Sequence, residues 1–435
     1  MLSVFARAFR TPDLRKKLLF TLGVVVLFRF GQILPAPGVH VANVEKCLTE
    51  AQAGDSAGLL SMIQLFSGGG MLKLSVFALG VIPYVTASIV LQLLAVVVPR
   101  LEQLRKEGQA GSAKITQYTR YLTVALAVLN ATALLALARG RQIFSCRHVL
   151  LVNDDLVTVL TVVVTITAGT AVVMWLGELI TDRGIGNGMS ILIFAQVVAV
   201  FPAYLGNILR QSPVAFATML VLGAFLVAGV VFVEQAQRRV PVQYAKRMVG
   251  RRVYGGTSTY IPLKVNQAGI IPVIFTTSLL YVPQLAVMLA GNTSNALIDW
   301  IQRYLVSGDH PVYVVTYFLL VVVFTFFYVS ITFNPVEVAD NMRRYGGFVP
   351  GIRPGRPTAE YLHYVLNRLT APGAVYLGVL SLIPIIAFVL LRDPGTQQNF
   401  PFGGATILIM VGVGLETVKQ IESQLQQRNY EGFLR

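Results

Sequence analysis

Long apolar runs separated by short polar segments make up most of this sequence. Ten runs are about 17 to 25 residues long, which is the length that an α-helix needs to cross a bilayer. They cover residues 17–34, 74–97, 119–138, 156–176, 186–205, 214–233, 266–290, 312–333, 371–391 and 404–420. The pattern therefore predicts an all-α polytopic membrane protein with ten transmembrane helices. A composition of 55% hydrophobic and 13% charged residues agrees with this class.

The basic residues predict the orientation of these spans. With the N-terminus inside, the cytoplasmic segments hold 26 of the 35 Lys and Arg residues, as the positive-inside rule requires. Both termini are then cytoplasmic, and the first span is expected to be retained rather than cleaved as a signal peptide. The net charge of +15 is spread over many loops. It therefore reflects membrane topology rather than a nucleic-acid-binding face.

One apolar segment is too short to cross a membrane. Residues 59–67 would form a helix of only ~13 Å, and three consecutive glycines, Gly68, Gly69 and Gly70, separate it from the next span. The glycines predict a hinge that is free of side-chain constraints. An inert re-entrant segment is the alternative interpretation.

Two spans share a local motif. The second span contains GVIPYV at 80–85, and the seventh contains GIIPVI at 269–274. When ten spans divide into two sets of five, these are the second member of each set, and the second set runs upside down relative to the first. Coincidence is the alternative, because Gly and Pro are common in membrane helices.

The centres of the interrupted spans are aliphatic and carry no ionisable residue, which argues against a site for a polar solute. A ring of aliphatic side chains excludes water and hydrated ions, so it predicts a seal. The alternative for each residue is ordinary packing between helices. The candidates are Val81, Val85, Met189, Ile193, Ile274 and Ile409.

Other chemistry is sparse. Cys47 and Cys146 both fall on the predicted external side, where a disulfide is permitted, but two unpaired cysteines are expected. Arg29 lies within the first span and receives no role beyond contacting carbonyl groups or an aqueous vestibule. No metal-ligand spacing, phosphate-binding loop or nucleophile–base pair stands out, so neither an enzyme nor a cofactor is expected.

Nine segments, in order along the chain, resemble the SecY family of protein-conducting channels. They are QLFSGGG (64–70), FALGVIPYVTASI (77–89), EGQAGSAKITQYTRY (107–121), WLGELITDRGIGNGMSI (175–191), YAKR (244–247), STYIPLKVNQAGIIP (258–272), FNPVEVADN (333–341), FVPGIRPGRPTAEYL (348–362) and FGGATILI (402–409). The resemblance covers essentially the whole chain.

The resemblance implies a clamshell of two inverted five-helix halves, residues 1–206 and 207–435, with a pore between them. The aliphatic ring would be the pore constriction. The short segment would be a re-entrant plug helix, formed by Leu59, Leu60, Met62, Ile63, Leu65 and Phe66 and followed by Gly68, Gly69 and Gly70. The pore would open sideways between spans 2 and 7.

Polar residues mark this lateral gate, at Thr86, Ser88, Gln92 and Asn266, although each of them is equally compatible with ordinary helix contacts. The long basic loops at 238–264 and 343–368 would dock the ATPase SecA or a translating ribosome. Arg251, Arg252 and Arg353 are the candidate contacts there, and the alternative is ordinary positive-inside charge.

The implied function is a passive channel in the bacterial plasma membrane that translocates unfolded secretory polypeptides and releases hydrophobic segments into lipid. The implied partners are SecE and SecG in a heterotrimer, SecA, the ribosome, signal peptides, nascent chains and membrane lipid. An inverted-repeat transporter for small solutes is the alternative, and an intramembrane enzyme is a more distant one.

Overall fold

A computed structural model describes residues 9–52, 67–139, 151, 155–211, 213–244, 247–249, 252–254, 258–290, 296–306, 310–390 and 404–431. Most of these residues are helical. The helices are α1 (Pro12–Ile33), α2 (Val41–Gln52), α3 (Ile82–Val97), α4 (Pro99–Lys106), α5 (Gln109–Arg139), α6 (Leu156–Arg183), α7 (Gly188–Gln211), α8 (Pro213–Gln235), α9 (Ile271–Ala290), α10 (Ala296–Ile301), α11 (Pro311–Thr332), α12 (Pro335–Arg344), α13 (Arg356–Leu390) and α14 (Gly404–Glu431).

Each of the ten predicted spans overlaps a helix, which confirms a polytopic helical fold, although residues 74–81 of the second span and 266–270 of the seventh precede their helices. Five described helical segments are long and apolar enough to cross a membrane. They lie at Gln109–Ala136, Leu156–Arg183, Phe216–Gln235, Pro311–Arg344 and Arg356–Ile383. A sixth is added if α3 and α4, which meet at an angle of 104°, form one broken span. The structure is thus compatible with the predicted ten.

Proline sets the start of several helices. Pro12, Pro99, Pro311 and Pro335 each stand in the first turn of their helix. A proline is tolerated there because its missing N–H group would have no partner within the helix. At α12 the side chain of Asn334 also caps the helix, accepting a hydrogen bond of 3.1 Å from the backbone N–H of Val336.

The fold is not wholly helical. The long basic loop forms the strands β1 (Gln237–Tyr244), β2 (Arg247–Val249), β3 (Arg252–Tyr254) and β4 (Ser258–Lys264), and β5 (Gly347–Phe348) comes from the next basic loop. The strand order of the larger sheet is β4–β1–β5, and both of its pairings are antiparallel. The sheet therefore joins the two loops that were expected to dock a partner.

The last helix, α14, packs on helices from both predicted halves. This helix packs against both α7 and α8, while α1 packs on α6 and α11 packs on α9 and α13. Ile409 of α14 belongs to an apolar cluster with α3, α6 and α7, whereas the adjacent Leu408 belongs to a second cluster with α8, α9, α11 and α13. One helix thus contributes to the cores of both predicted halves.

Cys47 corrects one expectation. Its side chain is fully buried and forms a disulfide, so the prediction of two unpaired cysteines is wrong. The second cysteine of the sequence, Cys146, lies outside the described residues. Cysteine burial depends on how the segment after α1 folds back on the bundle, which local sequence does not reveal.

Candidate functional site

The repeated motif has the same backbone geometry in both places. Gly80 and Gly269 adopt left-handed φ values of 53° and 61°. Each glycine is followed by one aliphatic residue and then by an Ile-Pro pair that opens α3 or α9. Glycine enters the left-handed region without a Cβ penalty, and proline fits the first helical turn. The repeated sequence therefore adopts the same backbone conformation in both places.

Five of the six predicted ring residues meet in one apolar cluster. Val81, Met189 and Ile409 are buried in it, and Val85 and Ile193 pack against it partly buried. They come from the start of α3, the first turns of α7 and the first turns of α14. The structure thus brings together residues that are more than 300 positions apart in the sequence.

Met189 lies against a glycine rather than in open space. A Cβ atom added to Gly177 of α6 would stand 2.5 Å from Cε and 2.6 Å from Sδ of Met189. The bare glycine backbone therefore makes the space that the thioether occupies. Because methionine is unbranched and polarisable, it fills such an irregular gap well. Sequence inspection had missed the role of Gly177.

The sixth ring residue, Ile274, is half-buried and is not a member of this cluster. Ile270, one helical turn earlier, packs against the cluster instead and also against the core of α8, α9, α11 and α13. Aligning the two motifs would have indicated Ile270, because it matches Val81 just as Ile274 matches Val85.

The predicted plug falls largely outside the described residues. This applies to Leu59, Leu60, Met62, Ile63, Leu65 and Phe66. Ser67 and the three glycines are described, and they open a segment built mainly of turns, residues 67–81, that leads into α3. We call this segment the arch.

The arch is bonded to the end of α1. The N–H of Val76 donates to the carbonyl of Leu34 over 2.9 Å, and the N–H of Ala36 donates to the carbonyl of Leu74 over 3.0 Å. The ring of Phe77 lies directly over Gly31 of α1, where a Cβ atom would overlap it. These contacts hold the arch in a defined position.

Polar side chains of α1 contact the beginning of the arch. Nη1 of Arg29 donates to the carbonyl oxygen of Gly68 over 3.2 Å and also to the side-chain oxygen of Gln32. Nε2 of Gln32 donates to the carbonyl oxygen of Ser67 over 3.2 Å. Arg29 therefore binds carbonyl groups, which is one of the two situations expected from the sequence.

An ion pair that sequence inspection missed joins α5 to α6. Nε and Nη2 of Arg120 donate to Oε1 and Oε2 of Glu178 over 2.9 Å and 2.8 Å. A two-point contact of this kind matches the planar guanidinium to the carboxylate. Both residues lie in segments that resemble the SecY family. The charge of Arg120 within a predicted span was the signal that could have indicated an ion pair.

The predicted gate residues form hydrogen bonds with neighbouring residues. Thr86 donates to the carbonyl of Ile82 (3.0 Å), and Gln92 donates to Ser88 (3.3 Å), so both bonds stay within α3. Nδ2 of Asn266 donates to Oε1 of Glu234, at the end of α8, over 2.6 Å. These hydrogen bonds do not join the three residues of α3 to Asn266.

The helices on either side of the predicted gate make their most extensive contacts with other helices. In the described part of the chain, α3 packs mainly on α4 and α5, and α9 packs mainly on α11. On the side that the sequence predicts to be cytoplasmic, Nη2 of Arg105 in α4 donates to the carbonyl of Ile331 near the end of α11, over 3.3 Å. This bond connects the two predicted halves.

Of the three candidate docking arginines, only Arg353 is described with its side chain. Val249 of β2 pairs with Arg252 of β3 in an antiparallel two-stranded sheet. Arg251 and the side chain of Arg252 lie outside the described residues. Arg353 is exposed in the turn after β5, and its carbonyl accepts a hydrogen bond of 2.8 Å from the hydroxyl of Thr358.

Comparison with known proteins decides the family. The family model SecY matches residues 75–418, which include the repeated motifs, the ring and both basic loops. The chain belongs to the SecY family. Within this family, the protein translocase subunit SecY of Streptomyces galbus is 62% identical over 443 residues and that of Mycobacterium tuberculosis is 57% identical over 442 residues. Each alignment covers all of both chains.

Solved SecY-type structures share the fold. A structure of a protein-conducting channel has a TM-score of 0.61 at 18% identity, covering 94% of this chain and 91% of its own. A SecY structure with the same coverage has a TM-score of 0.61 at 20% identity. It is described as showing that the plug domain stabilises the closed state of the translocation channel and maintains a membrane seal.

Proposed function

We propose that this SecY-family chain forms the pore of a protein-conducting channel, which passes unfolded polypeptides across a membrane and releases hydrophobic segments into lipid. The observation that carries the proposal is the cluster of Val81, Val85, Met189, Ile193 and Ile409, with Ile270 beside them. Full-length relatives named as translocase subunits agree with it.

The chemistry of this cluster suits a polypeptide pore. A charged residue at the centre of a bilayer costs about 2.5–3.5 kcal/mol, and a secreted chain contains many of them, so it needs a path through protein. The path must block small ions when it is idle. Aliphatic side chains exclude water and reform contacts around any sequence, because dispersion contacts have no directional requirement.

Further features complete the proposal. The plug of residues 59–70 would close the external side, and α3 and α9 would form a lateral gate. Residues 1–206 and 207–435 would be the two halves of the clamshell. The gate would lie between α3, which packs mainly on α4 and α5, and α9, which packs mainly on α11. The energy for transport would come from a partner.

The partners we propose are SecE and SecG in a heterotrimer, with SecA or the ribosome docking on the cytoplasmic loops. The sheet that joins β1, β4 and β5 would present these loops as one surface. A related channel is known from a canine ribosome–channel complex of the endoplasmic reticulum, with a TM-score of 0.57 at 17% identity. The location would be the bacterial plasma membrane, with both termini cytoplasmic.

Reconstitution tests this function. The chain is placed in vesicles with SecE and SecG, SecA and ATP are added, and a radiolabelled preprotein is followed by its protection from external protease. We expect protection that requires ATP, and none in vesicles that lack the chain. Saturable uptake of a small solute, without protection of any preprotein, would favour the transporter alternative instead.

A further inference from the structure

Three consecutive glycines suggest a free hinge, but only Gly69 has open space around it, and Gly68 and Gly70 are tightly packed. Gly68 has a left-handed φ of 63°, and a Cβ atom added there would stand 2.7 Å from Cγ of Gln196 and 2.9 Å from Nε2 of Gln32. A Cβ atom at Gly70 would stand 2.8 Å from the hydroxyl of Ser75. At these two positions glycine is needed for close approach.

Gln196 of α7 lies between two glycines of the arch. Its Cγ faces Gly68, and its amide nitrogen would stand 3.0 Å from a Cβ atom on Gly80. Gln196 and Gln32 are both 2% exposed, and Ser67 is fully buried. The first residues of the arch are thus enclosed by α1 on one side and by α7 on the other.

The carbonyl groups of this segment need donors. Backbone that is neither helix nor sheet survives at membrane depth only where protein or water satisfies its polar groups. Here Arg29 serves the carbonyl of Gly68 and Gln32 serves the carbonyl of Ser67. The same contacts offset the cost of placing a guanidinium within a span, so the arginine and the arch stabilise each other.

We infer that Ser67–Gly70 is a fixed anchor for the plug and that Arg29 and Gln32 hold it to α1. The inference rests on the proposed plug, because an anchor matters to transport only if the preceding segment seals the pore. Arg29 and Gln32 then act as positioning residues for the seal, at a distance from the aliphatic ring.

Hydrogen–deuterium exchange tests the anchor directly. In the assembled channel, peptides that cover residues 67–80 report the amides of Gly70 and Ser75, which donate to the carbonyls of Ser67 (3.2 Å) and Gly70 (3.0 Å). In Arg29→Met we expect exchange about tenfold faster, since a hydrogen bond to a charged donor is lost. Gln32→Met should give a smaller increase, and Arg29→Lys should restore part of the protection.

Gly23→Ala is the matched control on α1, because an added Cβ atom there meets nothing within 4 Å. It should leave exchange over 67–80 unchanged. Unchanged exchange in both Arg29→Met and Gln32→Met would overturn the anchor. If one variant fails to assemble, the other still decides, since each removes a separate bond.

Ion conductance of the idle channel in planar bilayers separates the anchor from the plug. Faster exchange together with a higher ion conductance supports both the anchor and the sealing role of the plug. Faster exchange with an unchanged leak supports the anchor and contradicts the sealing role proposed for the plug.

Discussion

Val81 and Ile270 occupy equivalent places at the starts of α3 and α9. The carbonyl of Val81 accepts a hydrogen bond from the N–H of Val85 over 3.1 Å, and that of Ile270 accepts one from the N–H of Ile274 over 3.2 Å. Both side chains reach the same apolar cluster. Two helices from different predicted halves thus approach the constriction with the same local structure, as an inverted repeat would require.

The two motif glycines should differ in their tolerance of a methyl group. Alanine at either position meets the strain of a left-handed φ, of order 1–3 kcal/mol. At Gly269 an added Cβ atom meets nothing within 4 Å, whereas at Gly80 it also meets the amide of Gln196 at 3.0 Å. We expect Gly80→Ala to lower the free energy of unfolding more than Gly269→Ala, measured by thermal unfolding in detergent. Equal losses would contradict the close packing at Gly80.

Polar substitution in the ring should open the seal to ions. Ile409 is 3% exposed within the cluster, so Ile409→Asn places an amide where water was excluded. We expect at least a several-fold higher conductance of the idle channel in planar bilayers. Ile409→Val keeps the site apolar and serves as the control. Ile274→Asn should have the smaller effect, because Ile274 lies outside the cluster.

Removal of the plug should also raise the leak. Deleting residues 59–66 leaves the anchor Ser67–Gly70 in place and removes the apolar segment ahead of it. We expect frequent brief openings of the idle channel in single-channel recordings, since the external side then depends on the ring alone. A deletion variant that opens no more often than the parent channel would favour an inert re-entrant segment.

The ion pair between α5 and α6 should make a measurable contribution to stability. The side chains of Arg120 and Glu178 are 43% and 19% exposed, so solvent screens the pair in part. We expect a coupling energy of about 1 kcal/mol in a double-mutant cycle of Arg120→Met and Glu178→Gln, measured from the free energy of unfolding. A coupling near zero would mean that the bidentate contact does not form in the membrane.

Charge reversal at Arg353 should impair transport without unfolding the protein. Arg353 is exposed in the turn after β5, so its loss costs little packing. We expect Arg353→Glu to reduce ATP-dependent protection of a preprotein at least severalfold, while the amount of assembled channel stays constant. Arg356→Glu is the control, because this neighbour is also exposed but already pairs with Glu360 over 3.1 Å. An equal loss in both variants would indicate a general charge effect.

The approximate positions of the spans were predictable because their signals are local. About 20 consecutive apolar residues are needed wherever a helix meets lipid, so composition alone locates the spans. The repeated Gly-x-Ile-Pro motif acts through the backbone of its own residues, so its geometry at Gly80 and Gly269 also follows from the sequence. The sequence also shows directly that Val81 and Ile409 are aliphatic.

Other features depended on contacts between distant segments. Local spacing does not predict that Gly177 leaves space for Met189. It also does not predict the bidentate ion pair between Arg120 and Glu178. The glycines Gly68 and Gly70 are the clearest case: their sequence predicts freedom, yet Gly68 lies against side chains of α1 and α7, and Gly70 lies against Ser75 of the arch. The chain by itself determined which residues are apolar, flexible or charged. Only the tertiary structure decided which of them meet, because close packing and hydrogen-bond satisfaction are properties of the neighbours and not of the residue.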